Sequence, residues 1–545
     1  MSDVNDSDSG AGLARNSAVM AAGTIVSRIT GVARDMAMTA ALGFFIVSDA
    51  YSLGNTLPNI VYILVAGGAL NAVFIPQLVR HMKSDEDGGK AFADRLLSVV
   101  GVALLVLSIA AVLVAPALVS IYATQGLSQA EYELAVAFAR LCLPQIFFYG
   151  AYTMLQQVLN ARGKFGAAMF APIANNVVAI AVFLGFLFVA QPQADSLTTL
   201  SESEVLWLGL GTTAGVAIQA LVLFPPLLSS GYRFSFRTDW RGAGLGKAGG
   251  LAVWTIALVL ANQIGYAVTT RLATAANVAA TQAGEIAAGL TTYQKAHLIF
   301  ILPHSVITVS LVTALLPRLS SLAHDEKFDE IGAAVSRAAR VIVAMIIPLG
   351  LLLAVAAPDI SQLLFGNGVA GMEPARRAGE VVTFFALGLP AYSLVYVLYR
   401  AWYSMEDTKT PFALAVVVNV ANMAIAIPLF NAVSTEWKIQ SLAVAYSIAY
   451  TVTALIAWVV LRRRIPLNSA AALRTIALSF VAAGVAALLC QFAIGALPFD
   501  TIGGLLLRIL IVGVLGLATF VAFARILGVA EVNESLKIVQ GRLRK

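Results

Sequence analysis

The feature that most limits how this chain can fold is the recurrence of long apolar runs. They lie at 15–43, 48–79, 96–121, 135–161, 166–190, 205–229, 249–273, 286–317, 335–357, 379–404, 411–432, 440–461, 474–497 and 503–527. Each exceeds the ~20 residues that an α-helix needs to cross a bilayer. Inside hydrocarbon every backbone N–H and C=O must be satisfied within the segment, so runs of this length are solved by helices. The expected fold class is an all-α polytopic membrane protein with about fourteen transmembrane helices. Composition agrees, because 12% of residues are charged, about half the ordinary globular share.

Charge asymmetry between alternate loops orients the spans. Arg80, Lys83, Lys90 and Arg95, then Arg162 and Lys164, then Arg233, Arg237, Arg241 and Lys247 fall on one side. So do Arg318, Lys327 and Arg337, then Lys409, then Arg462, Arg463, Arg464 and Arg474. The opposite loops carry Arg376, Arg377 and Lys438 among acidic Glu131, Glu133, Asp195, Glu202, Glu204 and Asp500. The positive-inside rule then places both termini in the cytoplasm and makes the helix number even. The net charge of +6 reports this topology and gives no reason to expect a nucleic-acid partner. Cys142 and Cys490 fall in spans without metal-ligand spacing and read as small buried hydrophobes.

Enzyme chemistry finds no constellation. His81, His297, His304 and His324 are scattered, no Gly-rich loop precedes a Lys-Ser/Thr, and no metal pattern occurs. No ATP site, cofactor or metal is expected, so energy must come from a gradient, a potential or the substrate. Pro303, Pro348 and Pro390 are expected to break their spans. Phe74-Ile75-Pro76-Gln77-Leu78 and Leu315-Leu316-Pro317-Arg318-Leu319 hint at a repeat six helices apart.

The intramembrane polar residues are therefore the candidate site. The first span holds Ser27-Arg28-Ile29-Thr30-Gly31-Val32-Ala33-Arg34-Asp35. A charge at the bilayer centre costs about 2.5–3.5 kcal/mol on insertion scales, so three in one span argue against a lipid-facing helix. Arg28 and Asp35 share one helical stripe, and Ser27 and Arg34 an adjoining one. The wedge either lines a cavity that holds an anion or snorkels to the cytoplasmic interface. Asp49 and Asn59 in the second span join it, as do Thr291, Lys295 and His297 in the eighth. Asn262, Gln263 and Arg271 mark the seventh; Asn419 and Asn422 fit bonds between helices. Arg140, Arg340 and Arg400 lie near span ends and suit snorkelling. Guanidinium groups present forked donors and stay charged, which suits phosphate and points to a pyrophosphate-linked lipid.

With these residues in place, the chain resembles the MurJ (MviN) family of lipid II flippases, in the multidrug/oligosaccharidyl-lipid/polysaccharide (MOP) exporter superfamily. The matching segments are Ser27-Arg28-x-x-Gly31-x-x-Arg34-Asp35, Asp49-Ala50, Leu57-Pro58-Asn59, Phe74-x-Pro76-x-Leu78, Phe170-Ala171-Pro172, Leu315 to Ser320, and Tyr403-Ser404-x-x-Asp407-x-Lys409-Thr410-Pro411. The resemblance implies a substrate, the undecaprenyl-pyrophosphate disaccharide-pentapeptide (lipid II), moved from inner to outer leaflet. It implies two six-helix lobes around a central cationic cavity, with two further helices forming a groove for the lipid tail. The domains expected are 1–14 (disordered cytoplasmic tail), 15–229 and 230–461 (lobes), 462–527 (two added helices) and 528–545 (basic cytoplasmic tail). The tail from Glu531 is expected to lie against the inner leaflet.

Carried over, Arg28 and Arg34 bind the pyrophosphate, Ser27 lines the site, and Asp35 and Asp49 act in gating. Relatives carry basic residues where this chain has Tyr62 and Ile63, an acid at Gly67 and an arginine at Leu298; Lys295 is the nearest replacement charge. Only Asn262 and Gln263 stand where some relatives use an acid to bind sodium, which argues against sodium coupling. Expected partners are lipid II, the bilayer and, as candidates, cell-wall synthesis proteins. The alternatives are an exporter of another polyprenyl-linked glycan, a drug/cation antiporter of the superfamily, and a non-transporting scaffold for wall synthesis.

Overall fold

The structure is a computed structural model that describes residues 5–64, 81, 85, 87, 89–193, 200–239, 249–497 and 501–534. Gly67, Asn71, the Phe74-x-Pro76-x-Leu78 element and the tail beyond Glu534 lie outside the described residues. Eleven helical stretches among the described residues are long and apolar enough to cross a membrane. Three further helices, at 5–42, 46–62 and 249–283, occupy the remaining expected spans, consistent with about fourteen.

Residues 1–259 form one unit and 260–545 a second. The first contains α1 (Asn5–Leu42), α2 (Ile46–Tyr62), α3 (Lys90–Leu113), α4 (Ala115–Tyr122), α5 (Gln129–Cys142), α6 (Gln145–Ala161), α7 (Phe165–Ala190), α8 (Glu202–Leu221) and α9 (Phe224–Ser229). Helix α1 begins at Asn5, ahead of the expected entry at residue 15. It ends at Gly43, whose φ of 64° is costly for a residue with a Cβ. That turn starts α2 three residues later. Ser128 and Ser201 close capping boxes with Glu131 and Glu204 at the N-termini of α5 and α8.

Helix α1 packs on α7, α7 on α8, and α2 on α5 and α6. Their shared core is aromatic around Tyr51, whose ring meets Phe138 at 5.4 Å and Phe183 at 5.5 Å edge-on. The Tyr51 hydroxyl pairs with Thr212 Oγ1 at 2.8 Å, so the buried polar atom is satisfied. The described loop 230–239, expected in the second lobe, is bonded to α3. The Tyr232 hydroxyl donates to Asp94 at 2.6 Å, and Arg95 pairs with Asp239 at 2.7 Å.

The division between units falls inside α10 (Gly249–Ala283). The second unit continues with α11 (Leu290–Pro303), a π-helical turn (His304–Thr308), α12 (Val309–His324), α13 (Phe328–Phe365), α14 (Met372–Ser404), α15 (Lys409–Ala432), α16 (Lys438–Arg462), α17 (Ser469–Gly495) and α18 (Ile502–Ile526). Pro303 interrupts its helix as expected, and the π turn follows it. Pro348 and Pro390 do not: α13 and α14 run through both. Packed neighbours tolerate the missing N–H there.

Helices α17 and α18 pack against each other and against α13. Small Ala482, Ala483 and Ala486 let the backbones approach, and Val343, Val512 and Phe520 fill the space between. Arg340 of α13 bonds Glu531 through Nε at 2.7 Å, and Thr475 bonds the same carboxylate at 3.1 Å. Glu531, expected in a leaflet-bound tail, is thus buried against α13 and α17. Cys142 and Cys490 are both free and fully buried, as their apolar contexts imply.

Candidate functional site

Arg34 has two side-chain partners within the polar wedge and beside it. Its side chain is 38% exposed, so part of it meets open space. One amino group, Nη2, lies 3.2 Å from Asp35 Oδ2; the other, Nη1, donates to Asn176 Oδ1 at 3.3 Å. The stripe geometry put Asp35 with Arg28, but the neighbouring Arg34 takes the carboxylate. Arg28 is exposed and makes no hydrogen bond or ion pair among the described residues.

Asn176 reaches α1 from α7 and is 5% exposed. Its Nδ2 donates to the Ser27 carbonyl at 3.1 Å and to Thr30 Oγ1 at 3.0 Å. The Thr30 hydroxyl donates to the carbonyls of Val26 and Ser27, at 3.0 and 3.1 Å, so its oxygen is left to accept. With both amide hydrogens committed to α1, the carboxamide is oriented, and Oδ1 faces Arg34. Two of Arg34's five N–H donors are engaged in this way. The remaining three make no protein hydrogen bond among the described residues. A guanidinium held on one side and open on the other can receive a phosphate oxygen pair.

Asp49 sits in the first turn of α2 at 3% exposure. A carboxylate there is favoured by the positive end of the helix dipole. Asn59 is exposed near the end of the same helix. In the second unit Thr291 is fully buried and Lys295 is 4% exposed. The His297 ring is surrounded by Phe300, Phe385 and Tyr446 at 5.4–5.8 Å. Asn419 donates to Asn262 at 2.9 Å, the bond between helices that its position suggested.

Three features escaped the sequence. Asn176 stood within a nearly unbroken apolar span, and its partners lie about 150 residues away. Its one signal was an Asn-Asn pair just after Phe170-Ala171-Pro172. Arg508 and Asp359 form an ion pair at 3.4 Å between α18 and α13. Arg508 is the one charge in the first half of the run 503–527, and Asp359 lies just past the run 335–357; those isolated charges are the signal that could have found them. Arg400, near its span end, donates to the Tyr396 hydroxyl at 2.7 Å, a contact that the sequence did not suggest.

Comparison with known proteins follows from this architecture. A family model described as "Lipid II flippase MurJ" matches residues 38–511. A probable lipid II flippase MurJ of Bdellovibrio bacteriovorus is 27% identical over 94% of this chain and 95% of its own. One of Rhizobium meliloti is 26% identical over 78% of this chain and 76% of its own. A solved lipid II flippase MurJ in an inward closed conformation superposes with a TM-score of 0.71 at 19% identity, covering 93% of this chain and 99% of that one. An inward-facing multidrug resistance MATE family transporter of the MOP superfamily gives 0.62 at 15% identity, covering 80% and 94%.

Proposed function

We propose, from the premise that this chain belongs to the lipid II flippase MurJ family, that it moves lipid II from the inner to the outer leaflet of the bacterial cytoplasmic membrane by alternating access driven by the membrane potential. The chain is a multi-pass lipid II flippase and a transporter rather than an enzyme. The substrate site, the driving force and the cytoplasmic placement of both termini are our own assignments.

One observation carries the site: Arg34 is fixed by Asn176 and Asp35 and keeps three donors open. We assign the pyrophosphate to Arg34 and Arg28, with Ser27 and Asn59 lining the approach and Asp35 and Asp49 tuning the charge. Thr291, Lys295 and His297 are less open, and we give them no direct contact. The family interval begins at residue 38, so the first-helix charges are an argument from geometry that is independent of the family match.

An apolar cavity of about 310 Å³ in the second unit supports a place for the polyprenyl chain. Val341, Met345 and Pro348 of α13 line it with Leu517, Phe520 and Val521 of α18. The transport direction follows from charge. A potential of 100 mV is worth about 2.3 kcal/mol per elementary charge, and an inside-negative field favours outward movement of a bound pyrophosphate. Asp35 compensates Arg34, so in the empty first helix the field acts chiefly on Arg28 and pulls it back inward.

Proteoliposomes with an imposed potential and no pH or sodium gradient test this. Flipping should accelerate with an inside-negative potential and slow when the sign is reversed. A rate indifferent to sign would remove potential as the driving force. A drug/cation antiporter, the runner-up, would instead transport organic cations and ignore lipid II.

A further inference from the structure

The second unit carries an aromatic face that the pyrophosphate site does not use. Tyr392, Tyr396, Tyr399 and Tyr403 recur on α14 at spacings of four, three and four residues, which places them on one stripe about 16 Å long. Tyr446 and Tyr450 join it from α16, with Tyr450 4.6 Å from Tyr446 and 4.9 Å from Tyr392 between ring centroids. All six rings are half-buried. Interfacial anchoring explains tyrosines at span ends, yet Tyr446 and Tyr450 lie near the middle of the 25-residue α16. Polar groups at that depth normally face the bundle interior or a water-filled cavity.

The chemistry of the face narrows its ligand. Among the described residues no carboxylate contacts these rings, and the cation-binding position is already filled from within. The Arg400 guanidinium lies 4.8 Å from the Tyr396 ring and 5.9 Å from Tyr403. An organic cation would therefore meet a site that already holds a positive charge. Tyr392 and Tyr446 also pack on Phe300 at 5.5 and 5.9 Å between centroids, so what remains is the exposed part of each electron-rich ring, edged with its hydroxyl. A pyranose ring is the complement, since its C–H face suits an aromatic quadrupole and its hydroxyls and acetamido groups suit phenol oxygens.

We propose that the tyrosine face of α14 and α16 is a saccharide subsite, taking the sugar rings of the glycolipid headgroup. It rests on the flippase assignment above and adds which part of the substrate this unit recognises.

The test compares, on the full chain in nanodiscs, lipid II with and without its pentapeptide, which should respond alike, against undecaprenyl pyrophosphate, which lacks sugars and peptide. Tyr446→Leu/Tyr450→Leu should weaken lipid II binding about tenfold while leaving the sugar-free lipid within about twofold. Arg34→Ala should weaken all three. Equal loss for all three lipids, or no loss for any, overturns the subsite. If the leucine variant does not fold, Tyr392→Phe/Tyr446→Phe/Tyr450→Phe keeps the rings and removes only hydroxyls. It should lower lipid II affinity about threefold with sugar-free binding unchanged, and the same two outcomes overturn it. Wild-type protein that binds none of the three would refute the flippase assignment itself, a result separate from an unchanged ratio among them.

Discussion

Replacing Asn176 by alanine isolates what holds the central arginine. The variant loses two neutral hydrogen bonds, to the Ser27 carbonyl and Thr30 Oγ1, and one to the Arg34 guanidinium. Neutral bonds between membrane helices average about 0.6 kcal/mol each. A bond to a charged group is worth about 1.5–3 kcal/mol when buried. At 3.3 Å, with Arg34 38% exposed, solvent screening reduces it to about 1 kcal/mol. Total destabilisation should be about 2 kcal/mol, read as a lowered unfolding midpoint in detergent. Only the last bond bears on the ligand, so undecaprenyl pyrophosphate affinity should fall about fivefold. The decisive measurement is a double-mutant cycle with Arg34→Ala. If Asn176 acts through Arg34, the double variant binds no more weakly than Arg34→Ala alone. Additive losses would refute the orienting role, and unchanged affinity in Asn176→Ala would refute it more simply.

Other outcomes follow from particular contacts. Arg28→Ala should abolish flipping in proteoliposomes while leaving the unfolding midpoint unchanged, because the side chain has no protein partner among the described residues; an active variant removes it from the site. Gly54→Ala places a Cβ 2.7 Å from Phe138 Cβ and 2.8 Å from the Ala139 nitrogen, so it should cost about 1–3 kcal/mol by overpacking α2 against α5. A midpoint equal to wild type would show that the helices part freely there. Arg508→Met leaves Asp359, 8% exposed, without its cation, and should destabilise by about 3 kcal/mol. Arg508→Met/Asp359→Leu should recover most of it, and failure to recover would mean that packing dominates over charge.

The loop 230–239 should respond to acid. Hydrogen bonds from Arg237 and Arg95 hold the exposed Asp239 carboxyl well below its usual range. Its anchoring is therefore complete above the unfolded carboxylate value near pH 4 and is lost as pH falls through the lowered folded value. Amide exchange across 232–238, corrected for intrinsic rates, should rise in acid and should be high at every pH in Asp239→Asn. Equal protection in the two proteins at pH 7 would dismiss the anchor.

The membrane fold was legible because apolar runs of this length admit few alternatives. Arg34 was legible for the same reason: a charge is conspicuous among alanines and valines. Its true companions were not. Local spacing suggests that Arg28 and Asp35 share a stripe, whereas the ion pair forms between the adjacent Arg34 and Asp35, and Arg34 also bonds Asn176 of α7. No periodicity reports a contact made across about 150 residues. Pro348 and Pro390 misled for a related reason, since helix breaking is a property of isolated segments and packing suppresses it. The tyrosines of α14 and α16 are ordinary membrane residues singly; only the packing of the two helices makes them one surface.

The Asn176 bonds also carry a mechanical consequence. They grip α1 over nearly two turns, from the Ser27 carbonyl to the Arg34 side chain, and so staple α1 to α7 at the level of the site. Sliding one helix past the other would have to break three bonds at once. The three bonds, worth about 2 kcal/mol together, favour α1 and α7 moving as one body. The bend such a movement requires falls outside the staple, and Gly43, with its left-handed backbone between α1 and α2, is placed to serve as the fulcrum.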